Sequence, residues 1–178
     1  MAATVERFGV DPATGRELSL VRVEAPEELT AELLPPRPFV CLLAWNVAGV
    51  AAARLTAVAR TLIEAGCAYV CAHGSDCTRI DDAVDEECVD RQLAGQQVSF
   101  VMTSWHDDES PEAALWFLLE NTIVADDVDD ADYAPWNAPC RHAVVVDIAG
   151  AIADPEVVRA ALAAPRAFSQ RLAEQDPD

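Results

Sequence analysis

Short apolar runs alternate with amphipathic segments along most of the chain. Four runs have the length and composition of strands buried on both faces: residues 39–45, 68–72, 98–103 and 143–148. Four segments carry apolar residues at helical spacing: residues 50–64, 81–93, 110–122 and 154–162. Strands separated by helices predict parallel pairing with crossover helices. We therefore expect an α/β fold, a three-layer sandwich with a mainly parallel sheet of four or five strands, Rossmann-like or flavodoxin-like.

Residues at the ends of the predicted helices support these boundaries. Gly66 and Gly95 follow two of the helical segments, and glycine commonly stands just past the last turn of a helix. Ser110 and Asp154 begin the other two, and each is followed directly by a proline. A capping side chain followed by proline at the first helical position is a typical helix start.

The two ends of the chain differ from this core. Residues 17–25 alternate between apolar and polar, which predicts a short strand that is half exposed to water. Three prolines then disfavour helix just before the first buried run. We expect three parts: an N-terminal extension with a possible edge strand (residues 1–37), a single α/β domain (residues 38–166) and a polar C-terminal tail (residues 167–178).

The net charge changes the picture of possible partners. The chain has 178 residues and a formal net charge of −19, from 31 acidic residues against 12 basic ones, all arginine. Residues 61–178 hold 24 of the acids and only six arginines. Such a charge repels nucleic acids and anionic membranes, and we expect neither as a partner. It favours a basic protein partner, although solubility alone is the simpler explanation.

The absence of lysine excludes several chemistries. A P-loop, a Schiff-base enzyme and a protein kinase each require a lysine that this chain lacks. Most of the six cysteines lie in apolar runs, where free cysteine behaves as a small buried hydrophobe. The N-terminus has no signal-peptide pattern, and no apolar run approaches the length of a membrane span. We expect a cytoplasmic, reduced protein.

Polar residues follow the predicted strands where a ligand would sit. Ligands of open parallel sheets bind beyond the carboxyl ends of the strands. The catalytic candidates at this edge are His73, Asp76, Cys77, His106 and Asp107. The ligand-binding candidates are Asn46, Ser75, Ser104 and Trp105. The alternative is structural: Asp107, Asp108 and Ser110 cap a helix, while His73 and Asp76 hydrogen-bond a turn.

Two chemistries are worth weighing for the catalytic candidates. Imidazole with carboxylate suits a metal ion, but no tight metal motif is present, and the spacing of Cys71, His73 and Cys77 would place ligands inside a strand. We expect no metal site. Alternatively, Cys77 or Ser75 acts as a nucleophile with His73 or His106 as its base. Ser75 lacks the G-x-S-x-G pattern of a nucleophile elbow.

No cofactor is expected either. The turn after the first buried run contains Gly49 as its only glycine and lacks the G-x-G-x-x-G pattern of dinucleotide sites. The acidic segment 125–136 lacks the glycine and the final glutamate of a calcium-binding EF-hand loop. A solvated run of charge is the simpler interpretation, but aromatic residues beside acids also favour a contact surface. The interaction candidates are Asp127, Asp129, Asp130, Tyr133 and Trp136.

Three segments of the chain resemble a known family. Residues 39–46, the sequence CAHGSDC at residues 71–77 and WHDDESPEAALWF at residues 105–117 are similar to a bacterial domain-of-unknown-function family of small α/β proteins. The resemblance covers residues 38–148, and its most specific part is the WHDDES segment followed by a helix with Leu-Trp-Phe. It implies the α/β fold. It implies no activity and no catalytic residue.

Two functions of different classes follow from these observations. The first is an interaction or accessory protein that docks a basic protein partner, with an immunity- or defence-associated role as one form of it. The second is a small-ligand enzyme or sensor that uses the histidines and aspartates at the carboxyl edge of the sheet. The sequence leaves open whether the chain is an enzyme and what its oligomeric state is.

Overall fold

The computed structural model describes residues 3–96, 101–122 and 140–175. The strands are β1 (Thr4–Val10), β2 (Glu17–Val23), β3 (Phe39–Ala44), β4 (Cys67–His73), β5 (Met102–His106) and β6 (His142–Ile148). The helices are α1 (Ala52–Ala65), α2 (Thr78–Leu93), α3 (Pro111–Glu120), α4 (Pro155–Ala163) and α5 (Pro165–Gln175). Two single-turn 3-10 helices, Pro26–Glu28 and Ala31–Leu33, lie between β2 and β3.

The strands form one sheet in the order β1-β2-β6-β3-β4-β5. All neighbouring pairs are parallel except β1 with β2, which are antiparallel. The chain moves outward from β3 to β4 and β5, and then returns to place β6 between β3 and β2. The carboxyl ends of β3 and β6 therefore flank the point where the chain reverses direction across the sheet, which is the usual place for a ligand crevice.

Helices cover both faces of this sheet. The core on one face contains buried side chains of α1 and α2, including Leu62 and Val84. The core on the other face contains buried side chains of α3, α4 and α5, including Leu115, Leu162 and Phe168. All six residues of β3 and all but the first of β6 are buried, because both strands lie between two helical layers. The fold is the expected three-layer α/β sandwich.

The strand count is higher than expected, and the first strands are arranged differently. The sheet has six strands instead of four or five, because β1 and β2 both join it. The strand expected at residues 17–25 exists as Glu17–Val23, but it is not at the edge. It pairs with β1 on one side and with β6 on the other. Residues 1–37 were expected to form an N-terminal extension, but both of their strands are part of the sheet.

Most helix and strand boundaries agree with the sequence pattern. Gly66 ends α1 with a positive φ of 94°, Ser110 accepts a hydrogen bond from the amide of Ala113, and Asp154 accepts one from the amide of Glu156. One strand ends later than the pattern predicts. The run was expected at residues 98–103, of which residues 98–100 lie outside the described residues; β5 is Met102–His106, so that residues expected in the following loop lie within the strand.

The C-terminal segment is a helix that packs on the sheet layers. Residues of the expected polar tail form most of α5, and Phe168 and Ser169 are buried there. The hydroxyl of Ser169 donates a hydrogen bond to Glu120 at the end of α3 (2.6 Å). No helix in the described part of the chain is both long and apolar enough to cross a membrane.

Helices α1 and α2 are joined by a network of ion pairs centred on a buried carboxylate. Glu87 accepts two hydrogen bonds from Arg60 (3.1 and 3.0 Å) and one from Arg91 (2.6 Å). Its side chain is only 6% exposed. The bond from Arg60 lowers the pKa of the Glu87 carboxyl, and Arg91 lowers it further. Arg91 also reaches the exposed Glu64 of α1 (2.7 Å).

Replacing Glu87 by Gln tests this network. Removing one partner of a buried pair is costly, but Arg60 stays in contact with water, so we expect a loss of about 1–2 kcal/mol in the free energy of unfolding at neutral pH. The folded-state pKa of Glu87 lies below its ordinary value of 4.5. The stabilisation is therefore present above that value and lost as the pH falls through the lower folded-state pKa. Urea denaturation at several pH values measures both effects.

The matched control is Glu64→Gln, which removes an exposed partner of the same arginine. We expect it to cost no more than about 0.5 kcal/mol. Equal losses for the two variants, or a loss for Glu87→Gln that grows as the pH falls below 4.5, would contradict the assigned role of Glu87.

Candidate functional site

The loops after β3 and β4 are bound tightly to each other. The amide of Trp45 donates to the carbonyl of His73 (2.9 Å). The side-chain oxygen of Asn46 accepts hydrogen bonds from the amide (3.0 Å) and the hydroxyl (3.3 Å) of Ser75. Gly74 has a φ of 119°, and a Cβ at that position would lie 2.6 Å from the carbonyl oxygen of Trp45. The structure thus brings two ligand-binding candidates together, and their polar groups bind each other.

His73 and His106 stand opposite each other in the register of β4 and β5. Nδ1 of His73 lies 2.9 Å from the backbone carbonyl oxygen of His106. Because a carbonyl oxygen only accepts hydrogen bonds, Nδ1 carries the hydrogen and donates it. The imidazole of His73 is buried. The two histidines therefore come together at the rim of the sheet, joined by a bond from a ring to the backbone.

His106 is held at both ring nitrogens by side chains close to it in sequence. Nδ1 lies 2.8 Å from a carboxylate oxygen of Glu109, and Nε2 lies 3.1 Å from the hydroxyl of Ser104. The ring is buried and lies against Phe117 of α3, with a centroid separation of 4.8 Å. Sequence reasoning missed Glu109. The sequence does contain a signal for it: an acidic residue three positions after a histidine can reach the imidazole within a single turn.

Cys77 lies inside the core at the start of α2. Its side chain is fully buried, and burial raises the pKa of its thiol, with a further rise from the negative charges of Asp107 and Asp81. A raised pKa keeps the thiol protonated at neutral pH, which is the opposite of what a nucleophilic cysteine needs. Asp76, just before it, adopts a left-handed backbone with a φ of 60°. Cys77 therefore fills the core at a helix start.

The remaining candidates are placed as follows. Ser104 and Trp105 were expected in a loop but lie within β5, because this strand extends to His106. Asp107 accepts a hydrogen bond from the amide of Asp108 (3.1 Å). In residues 3–96, 101–122 and 140–175, no group of three or more His, Cys, Asp and Glu side chains is arranged to hold a metal ion. The interaction candidates Asp127, Asp129, Asp130, Tyr133 and Trp136 lie outside the described residues.

Four carboxylates lie on α2 and in the loop directly after β5. They are Asp81, Asp82 and Asp85 of α2 and Asp107 of the loop after β5, and this set is called the acidic face below. Burial raises the pKa of Asp85, and Asp81 and Asp82 raise it further by repulsion. Asp107 and Asp81 both act on the thiol of Cys77, so the loop and the helix converge there. Oδ1 of Asp81 is buried and receives no hydrogen bond from any described residue.

Most arginines of the chain bind groups outside the acidic face. All twelve lie within the described residues, and nine of them donate hydrogen bonds to carboxylates, hydroxyls or carbonyls. None of these bonds reaches the acidic face, and no described side chain forms an ion pair with it. Because the chain also contains no lysine, neither of these side-chain types neutralises the acidic face.

Apolar side chains are exposed next to these carboxylates. Trp105 of β5 is 55% exposed, and Val89 and Leu93 of α2 are exposed as well. Val101, directly before β5, packs in the core on the α2 side of the sheet. Since side chains alternate along a strand, Trp105 lies on that same side. An exposed aromatic ring and unpaired acids therefore occupy neighbouring positions at the outer end of the sheet.

Two cavities of the described residues lie away from this edge. One of about 320 Å³ lies between β1, β2 and residues 32–36, with Arg7 and His142 among its lining residues. A smaller one of about 110 Å³ is lined by Arg22 and Asp147, which form an ion pair (3.0 Å) across β2 and β6. Neither cavity is lined by a residue from the loops after β3, β4 or β5.

The fold and this edge define a three-layer α/β protein with a parallel sheet and an acidic, partly aromatic outer end. The chain belongs to the family described as Domain of unknown function (DUF7684), whose model matches residues 18–164. This confirms the resemblance to a domain-of-unknown-function family and extends it beyond residues 38–148, from within β2 to the end of α4. The bacterial origin of the family stays a prediction. No curated protein and no solved structure matches this chain.

Alkylation of the native protein tests the placement of Cys77. The thiol of Cys77 is fully buried, whereas Cys140 is partly exposed, and burial raises the pKa of both thiols. We therefore expect iodoacetamide at pH 7.5 to modify Cys140 first and to leave Cys77 unmodified in the folded protein. All six cysteines should react after denaturation. Peptide mass spectrometry measures each site, and preferential modification of Cys77 in the folded protein would restore its interpretation as a nucleophile.

Proposed function

We propose that this protein docks a basic protein partner through the acidic face. The observation that carries this proposal is that no described side chain forms an ion pair with the acidic face, while nine of the twelve arginines bind other groups. Burial raises the pKa of Asp85, and repulsion from the carboxylates of Asp81 and Asp82 raises it further. A cationic partner relieves this repulsion. Charges that destabilise the unbound protein therefore make the free energy of binding more favourable.

The exposed ring of Trp105 supplies the second part of the interaction. Aromatic residues are enriched among the few side chains that provide most of the energy of an interface. Charges at the rim contribute mainly to the rate of association and to specificity. Trp105 beside the acidic face therefore fits a contact in which the carboxylates steer a basic partner and the indole anchors it.

The loops at the carboxyl edge favour this function over a small-ligand site of the kind expected from the sequence. The side chains of Asn46 and Ser75 bind each other, and Nδ1 of His73 is bound to a backbone carbonyl. These hydrogen bonds hold the loops together, which supports a structural role for the groups that form them. The carboxylates of the acidic face, in contrast, form no ion pair with any described side chain.

Neutralising the acidic face tests the proposal. The variant carries Asp81→Asn, Asp82→Asn, Asp85→Asn and Asp107→Asn. In affinity capture from an extract of the source cells, we expect wild type to retain a protein of net positive charge and this variant to lose it by on the order of tenfold or more. The Kd of the purified complex should rise with NaCl concentration, because salt screens exposed charges.

The matched control removes the same number of charges from exposed positions elsewhere: Glu27→Gln, Glu32→Gln, Glu156→Gln and Glu174→Gln. This control should retain the partner. Equal loss in both variants would mean that only the net charge matters, and the same set of proteins captured by all three chains would overturn the proposal.

A second candidate function is supported by one specific arrangement. Ser104, His106 and Glu109 form a hydrogen-bonded series of hydroxyl, imidazole and carboxylate, with the hydroxyl on Nε2 and the carboxylate on Nδ1. This is the order in which a nucleophile, its base and an orienting acid are connected in acyl-transfer enzymes. Here Ser104 would attack, His106 would take its proton at Nε2, and Glu109 would hold the ring.

A fluorophosphonate reagent tests this candidate directly. Attack by the oxygen of Ser104 forms a bond to phosphorus, fluoride leaves, and the proton passes to His106. We expect labelling of Ser104, its loss in Ser104→Ala, and a rate at least about tenfold lower in Glu109→Gln. The neighbouring Asp108→Asn serves as the control and should label at the wild-type rate. Absence of labelling, read by intact-protein mass spectrometry, would exclude a nucleophilic Ser104.

A further inference from the structure

We infer that the basic partner binds as an extended segment that adds a strand to the outer edge of β5. This inference rests on the proposed function and specifies its binding mode. β5 pairs with β4 on one side, and no strand of the described residues pairs with its other side. The edge of a sheet presents a row of backbone donors and acceptors, and extended peptides bind such edges by completing the hydrogen-bond ladder.

The two edges of the sheet differ in how they are protected. β1, at the opposite edge, has a register irregularity between Arg7 and Gly9, and its Glu6 is paired with Arg159 of α4 (2.7 Å). Bulges and charges are the usual means by which proteins block pairing at an edge. β5 has the sequence MTSWH, with no proline, lysine, arginine or acid, and it pairs with β4 in unbroken register. Only one edge therefore carries the features that prevent strand addition.

The side chains exposed on β5 suit recognition of an added strand. Met102 and Trp105 are 43% and 55% exposed. Because they are three positions apart, strand alternation places them on opposite faces of the sheet. Side chains on one face of an added strand would thus contact Trp105, and side chains on its other face would contact Met102. The ladder supplies affinity, and these contacts supply specificity.

The charge beside β5 selects the chemistry of the occupant. The acidic face lies on the same side of the sheet as Trp105, so residues of the added strand that face α2 meet carboxylates. Lysine or arginine at those alternate positions is complementary to them. A second copy of this chain is disfavoured as the occupant, because two β5 edges would bring together two acidic faces of chains that each carry a net charge of −19.

A peptide probe tests this mode of binding. The probe is an acetylated, amidated peptide of about nine residues in which lysine and valine alternate. We expect it to shift the amide resonances of β5 in 15N spectra and to slow hydrogen exchange of the outward-facing β5 amides by at least about tenfold. The same peptide with glutamate in place of lysine should not bind.

Backbone methylation of the peptide separates strand addition from charge attraction. Two further peptides carry N-methyl groups on every lysine or on every valine, which keeps the charge and removes one face of backbone donors. At least one of them should bind about tenfold or more weaker than the parent. Equal binding of all three peptides would overturn strand addition and leave the proposed function standing. Equal binding of the parent to wild type and to the neutralised acidic-face variant would overturn the proposed function. Absence of binding by every peptide would overturn strand addition, and the capture experiment would then decide the proposed function by itself.

Discussion

The parallel pairing of β3 with β6 is the interaction on which the rest of the structure depends. It joins residues about a hundred positions apart, Phe39 with His142 and Ala44 with Asp147 at its two ends. β6 also pairs along its whole length with β2, so the two halves of the sheet meet only when this strand is inserted. Both strands need a helical layer on each face, and the sheet and its two layers therefore support one another. The common direction of these strands is what brings the loops of the carboxyl edge together.

The distribution of charge follows from this arrangement. Several arginines far from β5 form ion pairs that join two elements of the fold. Arg60 joins α1 to α2, and Arg159 joins α4 to β1. In the described part of the chain, β5 lies beside the outer flank of α2, and β5 contains no arginine. The acidic face thus results from its position at the end of the sheet. The same position leaves Trp105 exposed, and both features support a docking role.

Elements with strong local signals were predictable from the sequence. The fully buried runs of β3, β4 and β6 stand within one or two residues of their expected ends, and Ser110 and Asp154 cap the helices that follow them. β5 was misplaced because an edge strand need not be apolar, and its polar Ser104 and His106 resemble a loop. β1 was missed for the same reason. The pair of His106 with Glu109 is short-range and could have been anticipated, whereas the contact between Asn46 and Ser75 needed the neighbouring strands.

The sequence by itself determined the alternation of strands and helices, the exclusion of lysine chemistry and the size of the negative charge, because these depend on composition and local periodicity. The tertiary structure alone decided which strands are neighbours, and hence that β2 is interior and that β5 is the last strand of the sheet formed by the described residues. It also decided which carboxylates form no ion pair with a described side chain and that the thiol of Cys77 is buried. The physical reason is that pairing and ion contacts join residues distant in the chain, and no local pattern records which distant segments will meet.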